Sequence, residues 1–166
     1  MALGKDYSGQ DCTLARALEV VGERWTLLII RDAFYGVRRF SDFHVHLDIP
    51  RAVLSARLST LVEHGVLAKD GHEYVLTEVG VSLWPVVHGL AGWGERNLDG
   101  NGITRLFVHY ACGTRIDLDG TCPSCGGGPI RPGDLEIHPG RGARRRDDVV
   151  SKALRGPHRM LTPVET

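Results

Sequence analysis

Residues 50–65 read PRAVLSARLSTLVEHG, and this stretch decides how the rest of the chain is understood. Leu54, Leu58 and Leu61 recur at spacings of four and three, so they line one face of a helix that has to pack inward. The opposite face carries Ala52, Ser55, Ala56 and Ser59, with Arg51 in the first turn. A helix with so little bulk on its outer side can come close to base edges in a DNA major groove about 12 Å wide. There serine hydroxyls bond bases or phosphates, and arginine reaches guanine or phosphate. A Ser/Ala face is equally what an ordinary solvated helix presents, so the flanking sequence has to decide between the two.

Reading outward, Asp48 is expected to cap this helix, Pro50 to sit in its first turn and Gly65 to end it. Residues 66–69 and 74–76 then read as two short strands, with Asp70-Gly71 as the turn between them. Thr77 is placed to cap a long helix running to about Asn97, kinked at Pro85. Upstream, residues 12–21 put Leu14, Leu18 and Val21 on one helical face. Residues 24–34, RWTLLIIRDAF, form a strongly apolar helix ended by Gly36. Residues 40–47, FSDFHVHL, give a short third helix with Phe40, Phe43 and Leu47 on one side. Four helices, a hairpin and a further helix make a mainly α fold with a small β-hairpin wing, the order of a winged helix-turn-helix.

In that fold the DNA-facing candidates are Arg51, Ala52, Ser55, Ala56 and Ser59 on the fourth helix. Arg38, Arg39 and Ser41 join them at the start of the third helix, where side chains and free amides meet phosphates. Lys69 and His72 stand at the wing tip. Arg57 lies beside the leucine face, so bracing the fold and contacting phosphate are both open to it. His44 and His46 are two residues apart, do not share a face, and read as surface residues.

Composition agrees. Hydrophobic residues are 42% and charged residues 24%, ordinary for a globular protein. Twenty basic and 20 acidic residues leave no net charge. From Arg24 to Lys69, however, seven basic residues face four acidic ones, which gives that stretch a local excess of three positive charges. No apolar run approaches the roughly 20 residues of a membrane span, and MALGKDYSGQ lacks the apolar core of a secretory leader, so a cytoplasmic location without membrane partners is expected. No glycine-rich phosphate loop, nucleophile elbow or zinc-protease motif accompanies the eight histidines, so no enzyme activity is expected.

The residues also carry a family resemblance. Cys12, ALEVVGERWTLLIIRDAFYGVRRFSDF, IPRAVLSARLSTLVEHGVL, YVLTEVGVSLWPVV and WG together resemble the HxlR family, relatives of the MarR-type winged-helix regulators, over the span from Cys12 to Trp93. The resemblance implies a homodimeric repressor that binds a palindromic operator in double-stranded DNA. In it one reading helix serves each half-site, and the first and last helices of the region form the dimer interface. Two departures stand out: the segment between the wing strands is short, and Arg24 replaces the family's usual lysine before Trp25. Cys12 matches a cysteine that in some members senses oxidants or electrophiles, although a lone cysteine also serves as a small buried hydrophobe. Leu83, Val86, Val87, Leu90 and Trp93 exceed what so small a core can cover, which marks an interface or a surface hidden by the C-terminal segment. A small-molecule effector is also open, in a cavity between the dimerisation helices lined by Trp25, Trp84 and Trp93, although core packing accounts for each tryptophan as well.

Beyond the breaker Asp99-Gly100-Asn101-Gly102 the character changes. The expected division is 1–98 for the winged helix and dimerisation, 99–138 for a small β-rich zinc-ribbon-like module, and 139–166 for a flexible basic tail containing Arg144, Arg145 and Arg146. His109-Tyr-Ala-Cys112-Gly and Cys122-Pro-Ser-Cys125-Gly each space two ligands as a zinc knuckle does. Together they offer one histidine and three cysteines to a closed, structural tetrahedral zinc site. Residues 105–108 and Pro129-Ile130 are the expected ribbon strands. A ribbon that has lost its metal, or a disulfide-forming thiol pair, remains an alternative. A contrasting reading of the whole chain is a protein-interaction adaptor in which the winged helix only dimerises and the ribbon binds a protein; the basic residues around the fourth helix speak against it.

Overall fold

The computed structural model describes residues 6–7, 9–98, 100, 102–143 and 145–166. Asp99 and Asn101 of the expected boundary, and Arg144 of the arginine cluster, lie outside these. Four helices come first: α1 (Thr13–Val21), α2 (Thr26–Phe34), α3 (Phe40–Leu47) and α4 (Arg51–Glu63). An antiparallel hairpin follows, β1 (Leu67–Asp70) with β2 (Glu73–Leu76), and then α5 (Glu78–Val81) and α6 (Trp84–Asn97). This is the expected mainly helical winged helix-turn-helix. The inward faces were legible: Ile29, Ile30, Phe34, Phe43, Leu54, Leu58 and Leu61 are all fully buried. Each such side chain contributes about 2 kcal/mol through removal of apolar surface from water.

Several boundaries differ from expectation, each for a local reason. Helix α2 begins at Thr26, because Trp25 takes a left-handed φ of 79° and breaks the chain there. Asp48, with φ 53°, ends α3 and does not cap α4; Pro50 occupies the N-cap and offers no side-chain acceptor. Asp70 is paired with Glu73 inside the hairpin, so the turn is Gly71-His72. The long last helix is two helices. The Thr77 side chain accepts from the Gly80 amide to cap α5, and Pro85 then opens α6 in the N-terminal position where its missing N–H costs nothing.

The remaining segment forms a three-stranded antiparallel sheet in the order β3 (Arg105–His109), β4 (Leu135–Pro139), β5 (His158–Arg159), with α7 (Val149–Ala153) between the last two strands. Pro129-Ile130 is not a strand; the partner of β3 is β4, with Phe107 opposite Ile137. Of the stretch 139–166 expected as a flexible basic tail, described residues pack into the fold. Val150, Leu154 and Met160 are buried at 1% exposure or less, and Asp148 caps α7 through the Ser151 amide. The last residues strap the winged helix: Leu161 N–H donates to the Phe34 carbonyl at 2.9 Å, and Val164 N–H to that of Gly36 at 3.0 Å. A Cβ at Gly36 would collide with the Thr162 carbonyl, so the strap requires glycine there.

Phe107, Ile116, Leu135, Ile137, Val150 and Leu154 belong to the same buried cluster as Ile29, Phe34 and Leu58. Trp84 of α6 stands edge-on to both Phe34 and Phe107, at 5.2 and 5.0 Å, and so joins the two halves. Among the described residues, no helix is long and apolar enough to cross a membrane.

Candidate nucleic-acid interface and metal cluster

Helix α4 places its small residues where the periodicity put them. Arg51, Ala52, Ser55, Ala56 and Ser59 are all exposed, on the side away from buried Leu54, Leu58 and Leu61. The Arg51 guanidinium lies over the Phe40 ring at 5.0 Å, so α3 holds it at the helix start. Ser41 is exposed, with its hydroxyl donating to Asp42 at 3.2 Å. Lys69 and His72 are exposed on the wing, and Lys69 is steadied by the Tyr74 ring at 5.9 Å.

The adjacent arginines part company. Arg39 is 59% exposed and only loosely paired with Glu73 at 3.8 Å. Arg38 is 30% exposed and donates to the Leu161 carbonyl of the C-terminal strap at 3.2 Å. Sequence reasoning treated the two alike, because nothing local reveals a strap arriving 123 residues later. Arg57, open between two roles, donates to Glu23 at 2.9 Å and so braces the turn before α2.

His46 is not the surface residue expected; it is buried and bonds the fully buried Asp32 at 2.6 Å. Asp32 also accepts from Arg31 at 2.6 Å. Burial would raise the Asp32 pKa, but Arg31 and His46 outweigh it and hold the carboxyl below its ordinary value. His44 is half-buried and bonds the Ile49 carbonyl at 2.7 Å. No spacing in the sequence signals the Asp32–His46 pair, which only the packing of α2 on α3 creates.

At the end of β3 the four predicted ligands come together. Every ligand atom of His109, Cys112, Cys122 and Cys125 lies within 4.8 Å of the others. His109 Nδ1 is 3.4 Å from the sulfurs of both Cys112 and Cys125, and Cys112 Sγ is 3.5 Å from Cys122 Sγ. Zinc bonds of about 2.0–2.3 Å in a tetrahedron imply ligand separations of about 3.5–3.8 Å, close to these three distances, so the donor set could hold such an ion. Gly113 and Gly126, with φ of 69° and 66°, make the left-handed turns that bring each knuckle back on itself. Hydrogen bonds from Thr114 pull the Cys112 thiol down to about 6, while bonds to Cys112 and Cys122 push Cys125 up to about 11. One thiol of the set is therefore ready to ionise, as a metal ligand must. Cys12 is exposed at the N-cap of α1.

This geometry, a buried three-helix core presenting one small-faced basic helix beside a β-hairpin wing, defines a winged helix-turn-helix protein of the transcriptional-regulator class. The HxlR-like helix-turn-helix family model matches residues 20–101. Over 122 residues the chain is 43% identical to the HTH-type transcriptional regulator Rv3095 of Mycobacterium tuberculosis, covering 69% of this chain and 77% of that one. It is 31% identical over 108 residues to the HTH-type transcriptional regulator YdeP of Bacillus subtilis, covering 58% and 84%. The chain belongs to the HxlR family of DNA-binding transcriptional regulators. Its fold is also similar to the crystal structure of PA1607, provisionally assigned as a transcription factor, with a TM-score of 0.52, 34% identity and coverage of 80% of this chain and 87% of that one.

Proposed function

We propose that the protein is a homodimeric repressor that binds a two-fold symmetric DNA operator, reading one half-site with each α4. The observation that carries this reading is the exposed face of α4, where Arg51, Ala52, Ser55, Ala56 and Ser59 leave the backbone free to approach base edges. Arg39, Ser41, Lys69 and His72 flank that face and serve as phosphate contacts; Arg38 contributes less because the C-terminal strap engages it. Dimerisation is supported by apolar side chains left open on two helices: Val86, Leu90 and Trp93 on α6 are about half exposed, and Leu14 on α1 is 65% exposed. His109, Cys112, Cys122 and Cys125 hold one structural zinc ion, with all four positions filled by protein and none left for catalysis. Exposed Cys12 is a thiol an oxidant can reach.

The deciding experiment is a gel shift of purified, reduced, metal-replete protein on its own promoter region. Sequence-specific retardation that Arg51→Ala weakens is expected. Retardation no stronger on that promoter than on unrelated DNA would defeat the reading. Sedimentation of the same sample tests the dimer, and zinc content per chain tests the metal. Peroxide treatment of wild type beside Cys12→Ser tests the thiol.

A further inference from the structure

Between α2, α6 and β3 lies a cavity of about 610 Å³, well within the size range of small-molecule sites. Its walls are of two kinds. Leu27, Val87 and Phe107 give it an apolar side, while Arg31, Arg105, Arg115 and Arg146 bring four guanidinium groups against one lining carboxylate, Glu95. Three of these arginines are matched: Arg31 with Asp32 at 2.6 Å, Arg115 with Glu95 at 3.1 Å and Arg146 with Asp148 at 3.4 Å. Arg105 differs. It donates to the Leu154 carbonyl at 2.8 Å and, among the described residues, forms no ion pair. Arg105 is half-buried, and burial, with the Arg31 charge, pushes its pKa down despite the favourable fields of Tyr35 and Asp32.

His88 lines the same cavity and is 6% exposed. Its Nε2 bonds the Asp117 carbonyl at 2.9 Å, and its Nδ1 is buried with no hydrogen-bond partner. The ring packs against Trp84 and Phe107, at 5.2 and 5.3 Å, and so forms part of the wall. The neighbouring cavity, about 500 Å³, shares His46, Thr104, Arg105 and Arg146 with the first, so Arg105 stands where the two meet.

We propose that this cavity binds a small organic acid, its carboxylate taken by Arg105 with Arg31 beside it, and its apolar body lying against Leu27, Val87 and Phe107. The site has a direct line to the reading head: Arg31 on the cavity wall bonds Asp32, and Asp32 bonds His46 on α3, the helix packed before α4. A carboxylate that draws Arg31 away loosens that chain. The consequence for operator affinity rests on the repressor reading; the binding site itself does not.

The test is calorimetric titration of the full chain, without DNA, using benzoate, 2-naphthoate and octanoate, each beside its neutral amide. Saturable binding of at least one acid is expected, with its amide about tenfold weaker or more, the difference a charge-assisted hydrogen bond provides. Arg105→Gln should erase the acid-over-amide preference and Arg105→Lys should keep part of it, with melting curves showing both variants folded. If Arg105→Gln does not fold, the acid-to-amide ratio on wild type still decides. Absence of saturable binding by every acid, or equal affinity for acid and amide, overturns the proposal. Because no DNA is present, a failed operator assay leaves this result standing, and the reverse holds as well.

Discussion

The two halves of the chain reach one core by opposite routes. In residues 13–97 the order is local: helical spacing sets the buried faces, and a two-residue turn closes the wing. In residues 105–166 the order is long-range: β3 waits for β4 some 30 residues on, β5 is two residues long, and the Cys/His cluster draws together positions 109 to 125. Helices are built from contacts within a few residues, so their pattern is visible in sequence. Sheets joined by irregular loops gain stability only once distant segments meet. The second half would be marginal alone, and it is held by burying Ile137 and Leu154 in the same cluster as Phe34 and Leu58.

This contrast can be broken in graded ways. Removing metal from the proposed zinc site, by chelation or by Cys122→Ser with Cys125→Ser, should have the largest effect. Metal binding of this kind contributes roughly 10 kcal/mol in isolated zinc fingers. Residues 105–139 should lose protection from hydrogen exchange first, while α2 and α4 stay protected; uniform loss across the chain would refute the contrast.

Next in size is Asp32→Asn, which strands Arg31 and His46 in the interior and should cost about 3–5 kcal/mol in chemical denaturation. The pH dependence follows from the lowered Asp32 pKa. Its contribution is fully present above the ordinary carboxylate pKa and is lost as pH falls through the depressed folded value. Melting temperature of wild type should therefore drop on acidification, and the Asn variant should drop less.

Leu154→Ala should destabilise by about 3 kcal/mol through the cavity it leaves. If the halves share one core, tryptophan fluorescence and far-UV circular dichroism will report a single transition, lowered in temperature. Two separated transitions would show that the halves unfold independently.

Smaller effects belong to the DNA face. Arg51→Ala should weaken operator binding by about 1–3 kcal/mol, read as a shift in the gel-shift midpoint. Smallest is the contrast within the arginine pair. Arg39→Ala should reduce the slope of log affinity against log salt by about one phosphate contact, whereas Arg38→Ala should change it less, because the strap already engages Arg38.

The legibility of the candidate sites divides along the same line. The small outer face of α4 and the knuckle spacings were visible because each depends on residues three or four apart, and the structure puts those residues where the spacing implied. The Asp32–His46 pair, the strapped Arg38 and the unpaired Arg105 were invisible, because each arises where separate elements meet. Asp48 and Pro85 misled for a related reason. Both are strong local signals, but a residue at the junction of two helices can serve either one, and packing selects which.

By itself, then, the sequence determined the order of the first four helices and the hairpin, the inward leucines, the small outer face of α4 and the four residues of the Cys/His cluster, since these are set by short-range periodicity or spacing; the family showed through the resemblance of its motifs. Tertiary structure alone decided that the C-terminal residues are part of the core and not a tail, that one arginine of an adjacent pair is held back from the surface, and that a cavity with an unmatched cation lies between the halves. Burial and charge pairing depend on which distant surfaces come together, and that is not written in any local stretch of the chain.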